Sequence, residues 1–130
     1  MIELPVKRTM MQGYLDDANA GTTTVTVSGI PAAPGGYMVY VYANGLNPGA
    51  TRSANYTIAA PGVGNMTTLL TDLASAYFSG TFNLVTATSP DGNYMVFSIP
   101  GTSFTLTATP TTASDGNPRA PVNGIQIVPE

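Results

Sequence analysis

"SFTLTAT", residues 103–109, alternates without a break: Phe104, Leu106 and Ala108 fall on one side of an extended chain, Thr105 and Thr107 on the other. β-Branched and aromatic residues suit a pleated surface, and a period of two gives a strand with one face in a core and one toward water. "TTTVTVSG" repeats the pattern, with Val25 and Val27 opposed to Thr24 and Thr26. "GYMVYVYA" is apolar on both faces, Tyr37, Val39 and Val41 against Met38, Tyr40 and Tyr42, which predicts a central strand or one whose outer face is covered. "SANYTIAA", "TFNLVTAT", "NYMVFS" and "NGIQIV" read as further strands. Between them lie "IPAAPGG", "ANGLNPGA", "SPDGN", "PGTS" and "ASDGNPRAP", rich in residues that pre-set turn dihedrals.

Many short strands with turn signals predict an all-β fold: a two-sheet antiparallel β-sandwich, jelly-roll-like, with at most one short helix near 66–78. The helix candidate is "NMTTLLTDLASAYFSG", where Leu69, Leu70, Leu73 and Tyr77 recur at helical spacing between a candidate N-cap, Asn65, and a stop, Gly80. The core should hold Val39, Val41, Phe97, Phe104, Leu106, Ile125 and Ile127. With 130 residues the sandwich is one domain, 9–130, preceded by an extended strand, 1–8.

Only 8% of the residues are charged, so hydroxyls and amides must cover the surface, a composition of exported β-proteins and fibre subunits. The net charge of −3, with Lys7, Arg8, Arg52 and Arg119 as the cations, leaves no basic stripe for nucleic acid. The chain has no Cys and no His, which removes thiol nucleophiles, disulfides and the commonest base near neutral pH, so an enzyme is not expected. No cofactor or metal is implied. No run reaches the roughly 18 apolar residues of a membrane span, and the N-terminus lacks the pattern of a signal peptide, so an exported protein would be represented by a mature form or a fragment.

Four stretches together, "GYMVYVYANG", "TRSANYTI", "GNYMVFSIPGTSFTLTATP" and "RAPVNGIQIV", resemble the uncharacterised galactose-binding-like β-sandwich modules of secreted and surface proteins from planctomycete and verrucomicrobial bacteria. The similarity runs over about residues 10–128, with "GTSFTLTATP" and "APVNGIQIV" its most specific part. It implies an extracellular or cell-surface sandwich and names no activity, because fold and function are separable. Longer members carry additional strands upstream, where this chain has "MIELPVK".

The carboxylates offer little chemistry. A glycosidase needs two facing across a cleft about 5 to 9.5 Å apart. Asp91 and Asp115 lie in "PDGN" and "SDGN", where an Asx side chain organises a turn. Asp16 and Asp17 could hold Ca²⁺ with nearby carbonyls, although "LDDANAG" also reads as a solvated turn. Tyr40 and Tyr42, two apart on one strand face, form either a ligand face for a polysaccharide or a packing face. Asn55 in "NYT" and Asn65 in "NMT" are candidate glycosylation acceptors, a motif expected by chance in a chain so rich in Thr.

"MIELPVK" carries the association signal. Ile2, Leu4 and Val6 alternate with Glu3, Pro5 and Lys7, and Pro5 bars the segment from a regularly paired central position. Such a strand either pairs with an edge of its own sheet or fills a groove of a second copy, with "GIQIVPE" as the other candidate donor. The expected function is therefore an extracellular structural or adhesive subunit that self-associates, a filament assembled by β-strand complementation. The alternative is a carbohydrate-binding or surface-attachment module of a larger secreted protein.

Overall fold

The computed structural model describes residues 9–17, 20–75 and 78–130. Its seven strands are β1 (Thr23–Val27), β2 (Tyr37–Tyr42), β3 (Arg52–Ala60), β4 (Gly64–Asp72), β5 (Tyr94–Ile99), β6 (Phe104–Ala113) and β7 (Gly124–Pro129). They form a four-stranded sheet in the order β1-β6-β3-β4 and a three-stranded sheet in the order β5-β2-β7, with every pairing antiparallel. Apart from a helical turn at Thr9–Met10, no helix occurs among the described residues, and none is long and apolar enough to cross a membrane.

The pairs β1·β6, β2·β5 and β3·β4 are nested, like a ribbon folded back on itself whose tip is the β3–β4 turn. The ribbon passes from the four-stranded sheet to the three-stranded sheet and back, and β3 meets β6 where the two passes lie side by side. That winding is the jelly-roll wrap, here with three ribbon pairs and β7 added beside β2.

Alternation decides what each strand buries. Phe104, Leu106 and Ala108 of β6, and Ala54, Tyr56, Ile58 and Ala60 of β3, face Tyr37, Val39 and Val41 of β2 and Met95, Phe97 and Ile99 of β5 in one core. Pro110 is tolerated in β6 because it lies beyond the last residue paired with β1, at a bulge where β3 shifts register between Ser53 and Ala54.

None of the described residues in the 66–78 stretch is helical. Residues 64–72 form β4, with Met66, Thr68, Leu70 and Asp72 turned inward and Leu69 left 44% exposed. The turn after β3 places Gly62 at φ 93° and Gly64 at φ 68°, a left-handed geometry that Gly adopts readily and that reverses the chain onto β3. β-Branched Thr67, Thr68 and Thr71 then favour pairing over a free helix. "TFNLVTAT" also departs from its reading: it makes only the isolated bridges Leu84↔Tyr94 and Thr86↔Ser89, while Val85 turns into the core.

Candidate functional site

The two flanks of the sandwich differ. Beside β4 and β5 the chain between those strands closes the gap. Thr71 N donates to Pro90 O (2.8 Å) from the four-stranded sheet, and Val85 N donates to Tyr94 O (2.9 Å) in the three-stranded one. On this flank Leu70, Met95, Phe97 and Ile99 are buried, while Met66 and Thr68 nearer the start of β4 are half-buried. Between β1 and β7 no strand intervenes among the described residues. Val25, Val27, Ile125 and Ile127 point inward there, yet all four are only partly buried, which corrects the expectation that Ile125 and Ile127 lie in the core. A groove of about 470 Å³ opens at this flank, with Val25, Val122 and Ile125 on its walls and Leu15, 58% exposed, at its rim.

An arm, residues 9–17, runs to one end of this groove. Met11 is buried, Leu15 and Val122 exchange two backbone hydrogen bonds of 2.9 Å, and Asn123 Nδ2 donates to Gly13 O (3.0 Å). Met10 lies against the first residue of β7: a Cβ on Gly124 would sit 2.7 Å from its sulfur, so a larger residue there would require the flexible Met10 side chain to move. The donor residues Ile2, Leu4 and Val6 lie outside the described residues, and the arm that leads to them is fixed beside β7.

The arm's last tie belongs to a polar end of the sandwich. Arg119 Nη1 donates to Asp16 Oδ2 (2.6 Å), and Arg52 Nη2 donates to Asp115 Oδ2 (2.9 Å). These pairs hold the Arg119 guanidinium above its usual range and the Asp115 carboxyl below the usual carboxylate range. Asp16 thus faces a cation rather than joining Asp17 in an oxygen cage, and no group of three or more acidic side chains occurs among the described residues. Asp115 organises its turn as expected, accepting from Asn117 N (3.0 Å). Buried Tyr56 donates its hydroxyl to Pro121 O (2.6 Å), and burial, with Asp72 and Asp16 nearby, pushes that phenol well up.

Asp72 is the acid that sequence reasoning missed. It ends the inward face of β4, opposite Arg52, and its Oδ2 accepts the Gly45 N–H (2.8 Å). Burial pushes its carboxyl up to about 6, against the opposing pull of the Gly45 hydrogen bond and Arg52. Between about pH 4 and 6 the folded chain therefore holds a proton that the unfolded chain has released, and stability falls as pH rises through that window. The expected loss is on the order of 2–3 kcal/mol. Urea melts at pH 4.5 and 7.5 should show Asp72→Asn without this share of the slope and more stable than the native chain at pH 7.5. Equal slopes in the two proteins would refute the assignment.

The outer face of the three-stranded sheet brings Tyr40 and Tyr42 together with an aromatic cluster. Tyr94 stacks with both, at ring-centroid distances of 6.5 and 5.8 Å, and Phe82 meets Tyr42 edge-on at 5.6 Å. Burial, then Tyr40 and Tyr94, raise the Tyr42 hydroxyl, which donates to Gln126 Oε1 (3.0 Å). All three tyrosines are half-buried, so the strip packs against itself and still presents surface. Asn65 is exposed near the start of β4, whereas Asn55 is half-buried in β3 between Leu69 and Thr109.

No family model, curated protein or solved structure matches this chain.

Proposed function

We propose that this chain is an extracellular structural or adhesive subunit that self-associates, the strand Ile2–Val6 of one copy entering the β1–β7 flank of the next. The observation that carries this reading is the asymmetry of the flanks: core-facing Val25, Val27, Ile125 and Ile127 are all half-covered, while on the other flank Met66 and Thr68 are half-covered but Leu70, Met95, Phe97 and Ile99 are buried. An added strand would cover that apolar surface and use the unpaired backbone edge of β1 or β7. The dimensions agree. β1 offers five residues, and "IELPV", at about 3.3 Å per residue, spans the same length. Ile2, Leu4 and Val6 would fill the groove, with Glu3, Pro5 and Lys7 outward. Donor and acceptor are different surfaces, so the contact is head-to-tail and propagates into a filament.

The experiment is sedimentation velocity and electron microscopy of the full chain, of a chain lacking residues 1–7, and of Leu4→Asp. The full chain should polymerise and both variants should remain monomeric, with the peptide MIELPVK raising the melting temperature of the truncated form. Filaments that persist in both variants, or a full chain that stays monomeric, would overturn the reading. A second reading, a saccharide-binding or surface-attachment module, is favoured by the aromatic strip of Tyr40, Tyr42, Tyr94 and Phe82.

A further inference from the structure

We infer that a neutral saccharide unit binds in a cleft at the polar end of the sandwich, away from the tyrosine strip. The inference rests on the second reading above and is independent of strand exchange. The cleft, of about 280 Å³, opens where β4 ends and β5 begins, and Asn44, Asp72, Asn83, Asp91 and Asn93 line it together with Thr71, Ser75 and Ser79.

Its lining selects a chemical class. Among the described residues no Lys or Arg lines it and two carboxylates do, so a phosphate, sulfate or carboxylate ligand would meet repulsion without a counter-charge there. Amides offer donors and acceptors, carboxylates accept, and hydroxyls do both, a set that adjacent hydroxyl groups of a sugar can satisfy, each donating once and accepting once. An apolar ligand would instead leave these groups desolvated and unpaired.

The floor is built before any ligand arrives. Asn93 is buried, accepts from Asn83 N through Oδ1 (2.8 Å) and donates from Nδ2 to Thr81 O (2.9 Å). Asn93 N donates to Asn83 O (3.0 Å) and Gly92 N to Thr71 O (3.3 Å), tying the loop to the end of β4. Fixing the backbone in advance lowers the entropy lost on binding. Above that floor Asn83 and Asp91 are exposed, placed to meet a ligand. Leu73, 53% exposed, and Ala74 also line the cleft and offer an apolar patch to the C–H face of a pyranose.

Isothermal titration of the full chain with a panel of methyl glycosides of the common neutral hexoses tests this. At least one should bind with millimolar affinity. Asp91→Ala and Asn83→Ala should each weaken it tenfold or more at unchanged melting temperature, while Asn65→Ala on the other sheet leaves it unaltered. Binding that is lost in Tyr40→Ala or Tyr42→Ala and kept in Asp91→Ala would move the ligand to the strip, overturning the cleft and preserving the second reading. No binding by any glycoside at tens of millimolar would overturn both. Ca²⁺ binding that depends on Asp91, with no glycoside bound, would show an oxygen-ligand cation site and refute the saccharide.

Discussion

Phe104→Ala should lower the free energy of unfolding by about 3–5 kcal/mol, and Ile125→Ala by only about 1–2 kcal/mol, when both are measured on monomer. The contrast is the test. Phe104 is 2% exposed in the middle of the core, so truncation removes a fully buried ring and leaves a cavity bounded by well-fixed neighbours. Ile125 points into the same core from the open edge, where one side of its chain already meets solvent and little cavity can form. Urea melts of the two variants in the chain lacking residues 1–7 give both numbers. Equal losses would mean that the β1–β7 flank is as closed as the other one, removing the chief support for strand exchange.

Val25→Asp should separate folding from assembly by a larger factor. In the monomer the new carboxylate sits on the short edge strand β1 at a half-covered position beside the groove, where it can still reach water, so stability should fall by about 1–3 kcal/mol and the chain should still fold. Once a donor strand covers it, the same charge is buried among apolar groups with no counter-ion, which is strongly unfavourable. The concentration at which half the chains are assembled should rise more than about a hundredfold, equivalent to about 3 kcal/mol. Light scattering against concentration measures it. Assembly at an unchanged threshold would exclude the β1 side of the groove as acceptor.

The architecture is largely legible in the sequence because alternation is a local signal. Phe104, Leu106, Val39 and Val41 are buried as their periodicity requires, and the two-faced apolarity of "GYMVYVYA" corresponds to β2, the centre of its sheet. Local signals mislead where two patterns overlap. Leu69, Leu70 and Leu73 fit a helical spacing, but the residues before them are paired to β3 by a tight turn, and that pairing outweighs a short, Thr-rich helix with no partner. The half-exposure of Ile125 and Ile127 depends on how the β1–β7 flank is covered, information that their own alternation does not contain.

The site was less legible. Asp16 meets Arg119 and Arg52 meets Asp115 only because the ends of β3 and β6, the arm and the segment before β7 converge on one end of the sandwich. Nothing local marks Asp72 as a buried acid, since its segment reads as a helix and only its place at the end of β4 turns it inward. Asp91 reads as a turn organiser like Asp115, and in the structure it also lines one cleft together with Asn83 and Asn93.

The nested ribbon also orders the folding reaction in time. Loop-closure entropy grows with the length of chain to be closed, and non-local pairing is slow because that entropy is lost before contacts compensate it. β3 and β4 are joined by a short turn, whereas β1 must find β6 through contacts such as Val25 with Leu106, from opposite ends of the domain. The hairpin therefore forms early, and β1 settles onto a surface that β3 and β6 have already made. Under the proposed strand exchange, the acceptor edge would be among the last parts of a nascent subunit to exist, so a half-folded chain would have nowhere to receive a neighbour's strand, and growth of an assembly would be restricted to subunits that have finished folding.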